Sequence, residues 1–473
     1  MKGTNIMSEE KSQAKLLQER LFSKKKNGML RLSADEVKSV DSFCENYKKF
    51  LDQSKTEREA AKVSIELAKE KGFTEFDPDK TYSAGDKVYY NNRGKSVILC
   101  VFGTEPLEKG VKISAAHIDC PRLDLKQNPV YESNELCLLK THYYGGIKKY
   151  QWPTIPLALH GVIFKADGSR VNVCIGEDES DPVFMVTDLL PHLAQEQSKR
   201  TLSEGIKGEE LNVLIGSRPF NTDEVSEQVK LNVLSILFDK YGIAEDDFVS
   251  AELEVVPAFK AKDVGLDRGL VGGYGQDDRV CAYTALEAIL QCDKPKTTCI
   301  TVLTDKEEIG SVGNTGLQSA YLKHFIFFLA EKAGTTCPMV LNNSTCLSAD
   351  VSVAFDPTFP EVCEPKNASY CNYGVTVCKY TGARGKSGCN DANAEFLSYV
   401  RNIFNANSVI WQTGELGRVD LGGGGTVAAY IADLGVDVVD VGVPVLCMHS
   451  PYEITAKLDI YMAFKAFYTF FNN

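Results

Sequence analysis

The stretch Thr304-Asp305-Lys306-Glu307-Glu308-Ile309-Gly310 follows an apolar run at 299–303 that reads as a buried strand of a parallel sheet. Adjacent carboxylates at the end of such a strand raise each other's pKa and are costly to keep together. A divalent cation removes that cost, and other stretches place metal-ligand residue types to match. His117 and Asp119 stand in Ser114-Ala115-Ala116-His117-Ile118-Asp119-Cys120-Pro121, and Asp277-Asp278 precede a helical pattern. Asp350 closes Leu347-Ser348-Ala349-Asp350, and His449 follows Val443-Pro444-Val445-Leu446-Cys447-Met448. Together they point to a two-metal hydrolase site.

The pattern around these residues is α/β. From residue 261 onward, short strands alternate with helices expected over 279–290, 392–403 and 453–471, as in a doubly wound mixed sheet. The chain opens helically: Ser33-Ala34-Asp35-Glu36 is a capping box, and Val37, Val40, Phe43, Tyr47 and Phe50 then form one apolar stripe. A second box, Thr56 with Glu59, starts a helix that Gly72 stops. Strands at 87–90 and 95–102 flank the turn Asn91-Asn92-Arg93-Gly94. From 126 to 256 the pattern is strand-rich with long polar excursions, and no candidate ligand falls inside it. The expectation is a catalytic domain made of residues 1–125 and 257–473, interrupted by a smaller β-rich domain at 126–256.

With 473 residues, 44% of them hydrophobic, the chain can bury a large core. Its net charge of −12 argues against wrapping a polyanion, so no nucleic-acid partner is expected. Residues 1–19 are polar and lack the apolar core of a secretory signal. No run is long enough to span a bilayer, so no membrane partner is expected and the location reads as cytoplasmic. The fifteen cysteines contain no C-x-x-C pair; they read as free thiols in a reducing compartment rather than as a structural zinc site.

In an open α/β sheet, sites form beyond the carboxyl ends of the strands. His117, Glu307-Glu308 and His449 each follow an apolar run, so one sheet edge can gather them. Asp277 precedes a helix start, where the dipole favours negative charge. A cocatalytic metal pair needs one bridging carboxylate plus a nitrogen and a carboxylate for each ion. The count works with Asp277 as bridge, His117 and Asp350 on one side, and Glu308 and His449 on the other; the division between the ions stays open. Glu307 is then left beside the metals with no ligand role, free to take a proton from the attacking water and deliver it to the leaving group. Asp119 is placed to orient the His117 ring. Taken singly, Asp277-Asp278 also reads as a helix cap and Glu307-Glu308 as a solvated turn; their joint occurrence decides. His142, His160, His192 and His324 lack such a context and read as structural. Gly385-Lys386-Ser387 has the ending of a phosphate-binding loop, but Tyr380 stands where that motif needs glycine. Gly422 to Gly425 form a flexible run that can bring backbone N–H groups close to a substrate, or simply a tight turn.

At these residues the chain resembles the aspartyl-aminopeptidase family of cocatalytic zinc aminopeptidases, and most closely its bacterial aminopeptidase 1 branch. His117-Ile118-Asp119-Cys120-Pro121, Tyr144-Gly145-Gly146, Glu307-Glu308-Ile309-Gly310, Ser348-Ala349-Asp350 and Met448-His449-Ser450 are similar to its motifs. The resemblance implies an exopeptidase that removes single residues from peptide N-termini with two divalent ions, zinc first, manganese or cobalt as substitutes. It also implies that the interrupting domain mediates dimerisation and that dimers build a homo-oligomer of the tetrahedral dodecamer type. Lys386, Gly423 and Gly424 are its candidates for substrate positioning. Gln276-Asp277-Asp278, Val351-Ser352-Val353-Ala354-Phe355-Asp356-Pro357 and Gln151-Trp152-Pro153-Thr154-Ile155-Pro156 depart from the family pattern; Asp277 still aligns as the bridging ligand, but a preference for acidic N-terminal residues is not expected. Two other readings stay open: a metal-dependent dipeptidase or amidohydrolase of the same fold, and a non-enzymatic scaffold that retains the metal shell.

Overall fold

The strand–helix alternation becomes a nine-stranded sheet in a computed structural model that describes residues 12–23, 25–222 and 224–473. Residues 1–11, on which part of the reading of an absent signal rests, lie outside the described residues. The spatial order is Thr74–Glu75, Lys87–Asn92, Ser96–Val101, Cys299–Thr304, Lys112–His117, Thr345–Ser348, Asp437–Gly442, Val375–Cys378 and Trp411–Thr413. The four strands from Cys299–Thr304 to Asp437–Gly442 are mutually parallel, and their neighbours on both sides run antiparallel to them. Central strands buried on both faces explain the continuous apolar runs.

Helices cover both faces of this sheet. Ala34–Gln53, Glu57–Glu70, Gln276–Leu290, Ala394–Ala406 and Lys457–Asn472 share one core, and Tyr321–Lys332, Cys337–Asn342 and Ala428–Ala432 the other. Both capping boxes form: Ser33 with Glu36, and Thr56 with Glu59, satisfy each other's backbone N–H groups. The closing helix begins at Lys457, four residues later than its pattern suggests. Glu453–Ala456 is a strand instead, because Ile454 and Thr455 pair with Gly272 and Val271. That strand belongs to a third, five-stranded sheet, ordered Lys262–Val264, Leu270–Gly273, Glu453–Ala456, Pro444–Leu446 and Ser352–Val353.

Between Arg122 and Pro257 the chain builds a seven-stranded antiparallel sheet with a hydrophobic core of its own. A buried ionic seam fastens this sheet to the helix Glu57–Glu70. Arg122 lies 3.4 Å from Glu57 and 3.2 Å from Glu254, and Lys95 lies 3.3 Å from Glu57. Burial disfavours the Glu57 charge, but Arg122 and Lys95 outweigh it and hold that carboxyl below the usual range. Glu254 is pushed up, by burial first and then by Glu57. Among the described residues, no helix is long and apolar enough to cross a membrane.

Removing one partner of a buried ion pair leaves the other charge uncompensated. Arg122→Met is therefore expected to cost about 3–5 kcal/mol of stability, read from the urea-unfolding midpoint. A shift below about 1 kcal/mol, the scale of an exposed pair, would show that Lys95 alone satisfies Glu57.

Candidate metal centre

Sheet register brings the first ligands together. His117 ends its strand directly opposite Thr304 on the parallel neighbour. The Glu307–Ile309 turn that follows starts and stops on left-handed residues, Lys306 at φ 69° and Gly310 at φ 88°. On the other side of the His117 strand, Asp350 lies two residues beyond Thr345–Ser348. Its backbone passes so close to the next strand that a Cβ at Gly442 would run into the Asp350 carbonyl. Asp277 and Asp278 open the helix Gln276–Leu290 in non-helical backbone, joined by a cis peptide bond. His449 departs from the single-edge expectation: it follows Pro444–Leu446 of the five-stranded sheet rather than a strand of the large one.

These elements place the Asp277 carboxylate between two imidazoles. Its Oδ1 lies 3.1 Å from His117 Nε2 and its Oδ2 lies 3.1 Å from His449 Nε2. Glu308 Oε1 is 3.6 Å from His449 Nε2, and Glu307 Oε2 is 3.9 Å from His117 Nε2. Donors bound about 2.0–2.1 Å from one tetrahedral ion stand roughly 3.3 Å apart, so the Asp277 and Glu308 spacings to the imidazoles suit shared coordination. Two triads, His117 with Asp277 and Glu308, and His117 with Asp278 and Asp350, each have donor atoms within 4.8 Å of one another. Asp278 Oδ1 and Glu308 Oε1 are buried without a hydrogen-bond partner, and a buried acceptor left unpaired is expensive. Orphaned oxygens among imidazoles and carboxylates fit divalent ions bound by nitrogen and oxygen.

A second layer holds these groups in place. Asp119 accepts the backbone N–H groups of Glu307 and Glu308 at 3.1 and 3.2 Å and the Tyr144 hydroxyl at 2.7 Å. Its carboxylate is 3.3 Å from His117 Nδ1, while its carbonyl is nearer, at 2.9 Å. Asp119 thus orients the Glu307-Glu308 turn as much as the ring. Glu453 accepts the N–H of Asp277 at 3.0 Å and that of His449 at 2.7 Å, and the Gly146 carbonyl lies 2.8 Å from His449 Nδ1. Sequence reasoning passed over Glu453, which it assigned to a helix, and over Asp278 as a possible ligand.

The electrostatics are those of a pocket short of positive charge. Burial is the largest influence raising Glu307, to about 7, with Asp277 and Asp119 adding to it. Burial and Asp277 also push Glu308 up, and burial with Asp278 and Glu307 pushes Asp350 up. Burial disfavours charge on both rings, yet hydrogen bonds to the carboxylates hold His117 above its usual range and His449 at about 10. Lys386 and Gly424 have partners of their own. Lys386 is engaged by Asp391 at 2.9 Å and lies over the Tyr380 ring, and the Gly424 N–H is taken by the Thr381 carbonyl. Among the described residues, no hydrogen bond or ion pair joins Lys386, Gly423 or Gly424 to the metal-ligand candidates.

Residues 50–471 match the family described as Aminopeptidase I zinc metalloprotease (M18). A relative from Clostridium acetobutylicum, a probable M18 family aminopeptidase 1, is 51% identical over 461 residues, covering 96% of this chain and 99% of the relative. The crystal structure of an M18-family aminopeptidase from Thermotoga maritima is 43% identical, with a TM-score of 0.91 over 95% of this chain and 100% of that one. A yeast chain solved as a dodecamer, 20% identical over 92% of this chain and 97% of its own, shares the fold at a TM-score of 0.74.

Outer partners of metal ligands are worth 10–100-fold in affinity. Glu453→Ala, which frees both backbone donors, is expected to weaken zinc binding by about that factor in competition with a chromophoric chelator. Unchanged affinity would show that the His449 loop is set without Glu453.

Proposed function

Since the chain belongs to the M18 family of zinc aminopeptidases, we propose that it removes N-terminal residues from peptides with a dinuclear metal centre and Glu307 as general base. The observation that carries this reading is the Asp277 carboxylate, with one oxygen 3.1 Å from each of two imidazoles. His117 and Asp350 would hold one ion with Asp277, and Glu308 and His449 the other. Zinc is the first choice, and manganese or cobalt suit the same nitrogen and oxygen donors. Bound there, two divalent ions supply Lewis acidity at the scissile carbonyl and lower the pKa of the attacking water to about 7.

The chain's own groups do the rest. Glu307 keeps a fifth of its side chain exposed, and burial beside Asp277 and Asp119 raises it to about 7. In the proposed role its carboxylate takes the proton of the attacking water and passes it to the leaving amine nitrogen, worth ~10²–10⁴ in rate. Asp119 keeps Glu307 aimed by fixing the backbone of its turn.

The inserted sheet is the proposed dimer contact: its helix Gln228–Tyr241 buries only Val229 and leaves Ile236 and Phe238 more than half exposed. The dodecamer of the yeast relative supports assembly of such dimers. Fifteen free cysteines, most of them buried, support a reducing, cytoplasmic location.

A panel of aminoacyl-p-nitroanilides on metal-stripped protein, with Zn²⁺, Mn²⁺ and Co²⁺ restored separately, tests the activity. Metal-dependent release from unblocked substrates is expected; cleavage of N-acylated substrates alone would favour the amidohydrolase reading. Glu307→Gln should keep its metal and lose activity by ~10²-fold or more, whereas near-normal turnover would remove the assigned role. Asp277→Ala should lower the metal content, and full occupancy in that variant would sink the bridge.

A further inference from the structure

A second grouping of metal-ligand side chains lies where the helix Glu57–Glu70 meets the edge of the seven-stranded sheet. His160, on Leu157–Phe164, stands directly across from Cys174 on the edge strand Arg170–Ile175. Residues paired in this way carry side chains on the same face, with Cβ atoms about 4.5–5.5 Å apart. Glu59, from the first turn of the helix, reaches the same place and puts Oε1 2.8 Å from His160 Nδ1. One donor atom from each of Glu59, His160 and Cys174 lies within 4.8 Å of the other two. We propose that these three residues form a further site for zinc or another borderline divalent cation, outside the catalytic cluster and independent of its assignment.

Three features carry the proposal. The donor set of thiolate, imidazole and carboxylate is the mixture that borderline ions accept. His160 is 2% exposed, and its other nitrogen, Nε2, lies 3.1 Å from Glu177 Oε1. Glu177 is itself held by Lys55 at 2.6 Å and Lys260 at 2.5 Å. A carboxylate on the far nitrogen fixes the tautomer and aims the near nitrogen at a metal. Third, Cys174 is exposed, as among the cysteines only Cys447 is besides it, which leaves the remaining coordination position open to water. Binding displaces the thiol proton of Cys174 and a proton of His160, as metal binding to such ligands requires. The ion would join the helix Glu57–Glu70, at the end that carries Glu57, to the inserted sheet. That makes the site a fastener between the two bodies rather than a second reaction centre.

The plainer arrangement is an imidazolium held between Glu59 and Glu177. Cys174 separates the two readings, because only the metal site needs its thiolate as a ligand. The proposed catalytic ligands are nitrogen and oxygen donors, so a thiolate-to-cobalt charge-transfer band must come from a cysteine elsewhere. The experiment is a Co²⁺ titration of metal-stripped full-length protein, read by absorption and by metal content per chain. Wild type should show the band. Cys174→Ser should lose it together with one ion per chain while hydrolysing peptides as before, and Asp277→Ala should keep it. Absence of the band in wild type would overturn the site. So would its persistence with an unchanged metal count in Cys174→Ser, which would move the sulfur ligand to another cysteine such as Cys120. Because the readout is a difference of one ion between two proteins, it holds whatever the catalytic stoichiometry proves to be.

Discussion

The candidate metal centre is governed by the crowding of buried carboxylates. Asp119, Asp277, Asp278 and Glu453 are buried, and Glu307, Glu308 and Asp350 join them around two imidazoles. Two unit charges 4 Å apart interact by about 4 kcal/mol at an effective dielectric constant of 20. Several like charges at that spacing persist only if protons or cations neutralise them. Without cations, the raised positions of Glu307, Glu308, Asp278 and Asp350 show protons taking that part. In the proposed metal centre the same carboxylates would be ligands, and the repulsion that strains the bare pocket would favour cation binding.

Such a pocket survives because its walls are over-determined. The strands that deliver His117, Glu307 and Asp350 are buried centre strands of one sheet, so their relative positions are fixed by backbone ladders rather than by the site. The loops then turn through sparsely populated backbone at Lys306, Cys447 and His449, with φ of 69°, 59° and 64°. Non-glycine residues in that region cost of order 1–3 kcal/mol each. The hydrogen bonds from the turn to Asp119 and from the His449 loop to Glu453 offset that cost, which is why two acids with no direct ligand role sit so deep.

What the sequence disclosed follows from which signals are local. A carboxylate pair after an apolar run, a histidine ending another, and capping boxes before amphipathic stripes are each written within a dozen residues, and the two central strands and both opening helices appear where the pattern puts them. The candidate ligands His117, Asp277, Glu308, Asp350 and His449 were legible because their residue types are rare in those settings, and the fold brings them close to one another. Nonlocal pairing was not legible. The strand Glu453–Ala456 looks like the first turn of a helix until Gly272 and Val271 are known to lie beside it, and the separate sheet behind His449 is invisible for the same reason. His160 and Cys174, fourteen residues apart in sequence, carry no spacing signal, since only strand register makes them neighbours. The partners of Lys386 were equally hidden: Asp391 and the Tyr380 ring engage it in the fold.

The segment from Arg122 to Pro257 contributes no proposed catalytic ligand, yet the centre depends on it. Tyr144, at the end of its strand Leu136–Tyr144, donates to Asp119, and Gly146 just beyond it receives His449. The Arg122 guanidinium lies 4.0 Å above the Tyr144 ring while pairing with Glu57 and Glu254. A chain of contacts therefore runs from the ionic seam through Arg122, Tyr144 and Asp119 to the turn that carries Glu307 and Glu308. An insertion that served only to join subunits could attach anywhere on the surface. This one enters five residues after His117, where its first strand is bound to touch whatever orients the candidate ligands, so the proposed assembly surface and the proposed catalytic geometry share one piece of polypeptide.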